Sequence, residues 1–238
     1  MGNLAGRWWA PAPGQALQWQ LSGALDLTVD APLYDVDGQS TPAATVAELH
    51  RRGRRAICYV SVGSWERYRP DAGAFPAAVV GRPLADYPDE SWLDVRRLDL
   101  LAGPLTRRLD ECRAKGFDAV EPDNVDGYQN DSGFPLSAAD QLAFNRWVAA
   151  AVHARGMGVA LKNDPDQVAA LAGAFDFALV EECRRYDECD AYRPFVAAGK
   201  DVLHVEYTDS WPASRPCAVP GFSSMRKHRD LDSWRAPC

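Results

Sequence analysis

No stretch of this 238-residue chain approaches the roughly 18 consecutive apolar residues of a membrane-spanning helix, so no helical span is expected. Positive charge is in deficit. Against 33 Asp and Glu stand 26 Lys and Arg, a formal net charge of −7. That balance argues against a nucleic-acid binder, which needs a basic face, and against a polybasic membrane anchor. It favours a neutral or cationic partner. Histidine is scarce at four residues, and only His204 falls in an expected strand. Clustered carboxylates that hold a metal usually recruit histidine as well, so metal catalysis is not expected. G-x-G-x-x-G, G-x-x-x-x-G-K-[ST] and G-x-S-x-G are all missing, which removes support for dinucleotide, P-loop and serine-hydrolase chemistry. C-x-x-C is missing too, and with it the zinc-ribbon, thioredoxin-like and haem readings. With 47% hydrophobic and 25% charged residues, no repeat and no low-complexity tract, the chain reads as globular.

Tryptophan and cysteine are abundant, at eight and six residues. Tryptophan faces stack on sugar rings and bases, and a surplus beyond core needs points to a carbohydrate cleft; Trp147, inside a helical pattern, reads as core. The cysteine count is even. Cys183 and Cys189 are close enough in sequence to close a short loop, and Cys217 and Cys238 bracket the last segment. Cys58 and Cys112 remain, although six cysteines allow many other connectivities. Oxidised cysteines imply an exported protein. Met1-Gly2-Asn3-Leu4 carries no apolar signal region, so either a signal peptide is already removed from this sequence or the protein is intracellular. A secreted or extracytoplasmic monomer is the expectation.

Residues 1–14, with Trp8, Trp9, Pro11 and Pro13, read as an extended arm, and 15–238 as one domain. Short apolar runs alternate with Ala/Arg/Leu-rich helical segments. Strands are expected at 18–21, 32–37, 55–63, 117–123, 158–162, 175–181 and 201–207, with a weaker eighth near 221–226. Helices are expected at Thr41 to Arg51, with Thr41 as N-cap and Pro42 at the first helical position, and at Leu98 to Lys115, stopped by Gly116. Others fall at Ser137 to Arg155, Pro165 to Ala172 and Asp190 to Ala198, and Trp92 to Val95 suggests an extension strand in the proline-rich loop before Leu98. Strands alternating with helices imply a parallel sheet with right-handed crossovers. Eight units in this length fit a single α/β (β/α)8 TIM barrel; a doubly wound sheet is the second choice, weakened by the missing phosphate loop.

Function in a barrel gathers at the C-terminal ends of the strands. Here those ends read Tyr34-Asp35-Val36-Asp37, Ser61 to Glu66, Glu121 to Tyr128, Lys162-Asn163-Asp164, Glu181-Glu182 and Glu206-Tyr207. Helix caps account for some aspartates at such positions, but not for six polar ends in a row. Glycoside cleavage needs two carboxyl groups flanking one bond. Asp123 and Glu181, on strands with one between them, are placed to face each other across a barrel mouth.

These residues carry a resemblance. Glu121-Pro122-Asp123-Asn124-Val125-Asp126-Gly127-Tyr128 with Asp140 to Asn145, Ile57 to Glu66, Leu161 to Asp164, and Glu181-Glu182-Cys183 with Tyr186 and Cys189 together resemble glycoside hydrolase family 114, the endo-α-1,4-polygalactosaminidases. The matches occur in family order from about residue 15 to 210. The resemblance implies a (β/α)8 barrel that cleaves α-1,4-linked galactosamine polymers of microbial biofilm or fungal wall matrix without a cofactor. It implies Asp123 as nucleophile and Glu181 as acid/base. The chain departs from the family pattern at Val180-Glu181-Glu182-Cys183, where Asn-Glu-Gln-Cys is common. Val180 removes a possible substrate hydrogen bond, and Glu182 is a second candidate acid. Adjacent strand residues point to opposite faces, so only one of the two glutamates faces the cleft.

Deacetylated galactosamine is a cation near neutral pH, and a cationic amino-sugar polysaccharide is the expected partner of an acidic cleft. Asp35, Asp37, Glu121, Asp164 and Glu206 are read as lining that cleft, and Asn124 and Asn163 as adjoining substrate contacts. Their crowding is expected to raise one carboxyl pKa, as an acid catalyst requires. Lys162 is read either as a structural partner of these acids or as the group that holds the nucleophile ionised. Trp19, Tyr34, Trp65, Tyr128 and Tyr207 are candidate sugar platforms. Two other readings are a non-catalytic binder of a cationic polysaccharide and a barrel glycosidase for a different glycan.

Overall fold

Alternation of side chains along eight parallel strands builds two apolar layers in the computed structural model, which describes residues 8–238. In chain order the elements are β1 (Leu17–Gln20), β2 (Leu33–Asp37), α1 (Ala43–Arg51), β3 (Arg55–Ser61), β4 (Ser64–Glu66), β5 (Val80–Pro83) and β6 (Glu90–Leu93). Then follow α2 (Leu98–Lys115), β7 (Ala119–Asp123), α3 (Ala138–His153), β8 (Gly158–Lys162), α4 (Val168–Leu171), β9 (Phe177–Glu181), α5 (Arg193–Ala197), β10 (Val202–Tyr207), β11 (Ser223–Lys227) and β12 (Arg235–Pro237). The large sheet runs β1-β2-β3-β7-β8-β9-β10-β11-β12, every pair parallel except the antiparallel β11–β12. The architecture is the TIM-barrel class. Among the described residues, the β1–β2 and β10–β11 connections hold loops where a full (β/α)8 repeat has helices.

Inside the barrel, Leu17, Leu33, Ile57, Ala119, Ala160, Phe177, Leu203 and Met225 pack into one cluster. The residues between them, such as Val36, Cys58, Val120, Val159 and Val180, face outward onto Leu49 of α1, Leu105 and Leu109 of α2, and Phe144 and Val148 of α3. The apolar plug fills the lower barrel, so the polar residues that follow it along the strands are pushed to the C-terminal mouth.

The helix signals behave as their chemistry dictates. Gly116 ends α2 in the left-handed conformation at φ 91°. Ser137 caps α3 through a reciprocal box with Asp140. One expected cap is corrected: Pro42, not Thr41, occupies the N-cap of α1, with no side-chain cap bond. The segments expected as helices at Pro165–Ala172 and Asp190–Ala198 open as 3-10 turns before α4 and α5. The extension strand is one third of a small antiparallel sheet, order β4-β6-β5, inserted after β3. Arg108 of α2 anchors this insertion. Its buried guanidinium donates to Ser61 O at 2.7 Å, to Glu66 at 3.0 Å and to Asp71 at 2.7 Å.

The mouth of the barrel has a seam between β11 and β1. Leu21 and Ser22 donate backbone N–H groups to Leu231 O at 2.9 and 3.2 Å, and Gln18 Nε2 donates to Ser233 O at 2.9 Å. Of the expected arm, Met1–Arg7 lie outside the described residues. Trp8 stacks on His153 at 3.7 Å and donates to Asp176, so residues from 8 onward sit against the barrel. Three disulfides join Cys58–Cys112, Cys183–Cys189 and Cys217–Cys238.

Candidate active site

The strands that carry the polar mouth end abruptly. β7, β8 and β9 are each followed by non-glycine residues in the left-handed region: Asn124 (φ 62°), Asn163 and Asp164 (φ 49° and 58°), and Glu182 (φ 54°). Asparagine tolerates this conformation, whereas for glutamate it is costly and persists only where the surroundings enforce it. The sharp exit leaves the last strand residue, Asp123, Lys162 or Glu181, aimed into the mouth. Gly63 permits the closest approach here, because a Cβ at that position would lie 1.6 Å from Asn124 O.

Lys162 organises the site. Its ammonium is buried and lies 2.9 Å from Asp123 Oδ1, 2.8 Å from Glu181 Oε2, 3.5 Å from Glu121 Oε1 and 5.3 Å from the centre of the Trp19 ring. Through this one nitrogen, Asp123 Oδ1 and Glu181 Oε2 are held no more than 5.7 Å apart, the two bond lengths laid end to end. Burial pushes the Asp123 carboxyl up, but the Lys162 charge and donated bonds from Lys162, Asn124 N (2.8 Å) and Tyr59 hydroxyl (2.9 Å) outweigh it and hold the group below the ordinary aspartate value. The same burial works against the charged form of Lys162, and its three carboxylate neighbours overcome that cost, keeping it charged. Glu181 accepts from the Tyr207 hydroxyl, and its backbone N–H donates to Asn163 Oδ1 at 2.9 Å. Burial, and then the neighbouring carboxylates, keep both tyrosines protonated as donors.

A cleft of about 860 Å3 opens above this centre. Asp37, Asn124, Asn163 and Tyr207 line it together with Asp123, Lys162 and Glu181, and Trp19 forms part of the floor. Asp37 is neutralised there by Arg69 at 2.6 Å. Glu182 is turned away and tied to Arg185, Arg229 and the Ser210 hydroxyl, so Glu181 is the glutamate that faces Asp123.

Seven expected cleft residues lie elsewhere. Tyr34 faces outward from β2, its hydroxyl on Val29 O at 2.7 Å, because its neighbour Asp35 faces in. Asp35 and Glu121 do face in, but a layer too deep, and both are fully buried beneath Lys162. Trp65 borders a separate apolar pocket of about 340 Å3 with Phe75 and Val80, and its indole donates to Ala72 O at 3.0 Å. Tyr128 and Asp164 bond to each other at 3.2 Å beside the cleft, and Asn145 Nδ2 donates to Asp164 at 3.0 Å. Burial, with Asp126 nearby, lifts Asp164 to about 7. Glu206 points outward from β10 onto His204 Nε2 at 2.9 Å and the Arg184 N–H. Trp147 packs beside Phe144 against the outer core.

Several lining residues escape sequence reasoning. Tyr59 was reachable by parity, two positions after inward-facing Ile57. Asp126, lifted to about 6 by burial and by Asp123, stands in the segment already singled out. Tyr68, Tyr87, Glu90 and Trp92 come from the β4–β6 insertion, and Arg229 and Leu231 from the seam, where no local signal points to the mouth. As for metals, Cys183 and Cys189 lie near His204, but their sulfurs are joined to each other. The second cluster, His228, Asp230 and Asp232, is a partly exposed group in which His228 bonds Asp232 at 3.0 Å.

Comparison with known proteins gives this geometry a family. Residues 3–238 match glycoside-hydrolase family GH114. The chain is similar to the Aspergillus fumigatus protein Ega3, solved in complex with galactosamine, at 38% identity over the full length of both chains with a TM-score of 0.93. The glycoside hydrolase domain of PelA from Pseudomonas aeruginosa shares the fold, with a TM-score of 0.73 at 14% identity over 93% of this chain and 98% of that one. An uncharacterized protein of Deinococcus radiodurans is 30% identical over 202 residues, 74% of this chain; the match spans 63% of that longer relative. With the match running through both carboxylate-bearing strand ends and the whole barrel, the chain belongs to glycoside hydrolase family GH114.

Proposed function

We propose that the protein is an endo-acting glycoside hydrolase that cleaves α-1,4-linked, galactosamine-containing polysaccharide with retention of configuration. The observation that carries this reading is the Lys162 bridge. It keeps the Lys162-facing oxygens of Asp123 and Glu181 within 5.7 Å of each other, which favours the closer carboxyl spacing of retaining enzymes, roughly 5–5.5 Å, over the wider spacing of inverting ones. Asp123, kept ionised, attacks the anomeric carbon while Glu181 delivers a proton to the leaving oxygen. Glu181 then removes a proton from water, which displaces Asp123 from the sugar. Tyr59, Asn124 N and Lys162 fix the attacking carboxylate, and Tyr207 with Asn163 orients the second.

The cleft supports an oligosaccharide substrate. Tyr68, Tyr87 and Tyr186, each more than half exposed, all border it, and exposed aromatic faces suit sugar stacking. The likeness to Ega3, crystallised with galactosamine, and the acidic lining favour an amino sugar. Three disulfides support export to an oxidising compartment.

Digestion of a deacetylated α-1,4-galactosamine polymer and of its N-acetylated counterpart, with products sized over time, tests the reading. Early internal fragments of the deacetylated polymer are expected, and Asp123→Asn and Glu181→Gln are each expected to lose hydrolysis with unchanged thermal unfolding. Near-native turnover by either variant sinks the assignment. Binding without turnover by the native protein supports a non-catalytic binder instead, and hydrolysis confined to another glycan supports a different glycosidase.

A further inference from the structure

Beneath the catalytic centre lies a pair of carboxyl groups that the proposed reaction does not use. Asp35 on β2 and Glu121 on β7 are both 0% exposed, pointing into the barrel above its apolar plug. Among the described residues no donor bonds any of their four carboxyl oxygens, all of them buried, and the two groups lie close enough for each to act on the other's proton. The nearest cation is Lys162 Nζ, 3.5 Å from Glu121 Oε1. Two carboxylates offer only acceptors, so a bond between them requires one proton. Two bare charges sealed together in an apolar barrel would be prohibitively costly.

We propose that Asp35 and Glu121 hold a single shared proton, with Asp35 the acid and Glu121 the carboxylate, and that this buried anion is the counter-charge of Lys162, making both residues positioning residues for the carboxylates above. The groups facing the pair fit this assignment. They are Lys162 on β8, Asp123 on β7, Glu181 on β9 and Tyr59 on β3, with Trp19 of β1 in register with Asp35. Burial, then the Glu121 charge, raises Asp35 well above the ordinary aspartate value, and burial lifts Glu121 to about 7.

The arrangement has a purpose in the reaction, and in this respect it rests on the proposed roles of Asp123 and Glu181. A lysine touching both carboxylates favours ionising both, whereas the first step needs one ionised and one protonated. A fixed anion below the lysine spends its charge elsewhere and leaves the upper pair free to hold one proton.

Two experiments test this. The first needs no activity: infrared difference spectra of wild type minus Asp35→Asn at pH 9, and carboxyl 13C titration of wild type carrying labelled aspartate. One aspartic acid still protonated at pH 9, absent from the variant, is expected. If the titration shows every aspartate ionised there, the shared proton is refuted whatever the enzyme cleaves and whether or not the variant folds. The second is the pH profile of kcat/KM. Asp35→Asn keeps a donor to Glu121 and is expected to retain the wild-type profile within about twofold. Glu121→Gln is expected to move the alkaline limb down by about one pH unit or more, the size of shift that one nearby charge produces. An unmoved limb in a folded Glu121→Gln protein overturns the counter-charge role, even with the proton found.

Discussion

Replacing Lys162 by methionine removes the cation that touches three buried or half-buried carboxylates while nearly conserving volume. At 2.9 Å the gross attraction between Lys162 and Asp123 is about 6 kcal/mol at an effective dielectric near 20. Desolvation offsets part of it, and breaking a buried pair by removing one partner costs about 3–5 kcal/mol. That loss should depend on pH. In wild type, Asp123 sits below its unfolded value, so its contribution is present above the unfolded pKa near 4 and lost as pH falls through the native one. Without Lys162, burial dominates and the native carboxyls titrate above their unfolded values. The native state then binds more protons than the unfolded one, and stability falls as pH rises. Lys162→Met is therefore expected to be about 3–5 kcal/mol less stable than wild type at pH 8, with a markedly smaller deficit at pH 5. For a chain of this length that corresponds to a melting temperature lower by about 6–20 °C at pH 8. Urea unfolding of both proteins at the two pH values measures it. An equal deficit at pH 5 and pH 8, or one under about 1 kcal/mol at pH 8, refutes the reasoning.

Other consequences are open to direct measurement. Tyr87→Ala with Tyr186→Ala should raise KM for long polymers several-fold and leave kcat on short oligosaccharides within about twofold; equal losses on both would exclude a platform role. Gly63→Ala forces a Cβ against Asn124 O and should lower both thermal stability and kcat by displacing the turn that holds Asp123, which melting curves and initial rates together report. In the chain-entropy picture the 54-residue separation of Cys58 and Cys112 constrains the unfolded chain by about 4 kcal/mol, against about 2 for the 6-residue Cys183–Cys189 loop. Paired serine substitutions should follow that order in denaturant midpoints, while the short loop, which follows Glu181 directly, should affect kcat more.

Much of the barrel could be read because its punctuation is local. Gly116 and Ser137 mark helix ends through their own backbone and side-chain chemistry, and Gly158–Lys162 stands out as an apolar run closed by a lysine. The facing of residues was harder. β10 is buried on both sides, so its pattern carries no alternation to show that Tyr207 faces in and Glu206 out. Parity alone excludes Tyr34 and Asp35 sharing a face, just as it separates Glu181 from Glu182. The depth of Asp35 and Glu121 is set by how far the plug rises inside the barrel, which no single strand encodes. Arg69, Tyr87 and Arg229 reach the cleft by folding of distant segments, and their composition resembles any solvated loop.

The seam places the closing contact of the barrel between Leu21 and Leu231, about 210 residues apart along the chain. Nearly the whole domain must therefore be available before its first strand finds its last neighbour, and closure over such a span is slow. A chain emerging from its N-terminus first would carry two bare strand edges, and a cleft without Arg229 and Leu231, until those late residues appeared. A barrel assembled this way has no complete cleft until its last segment has joined its first, so the site arrives together with completion of the fold.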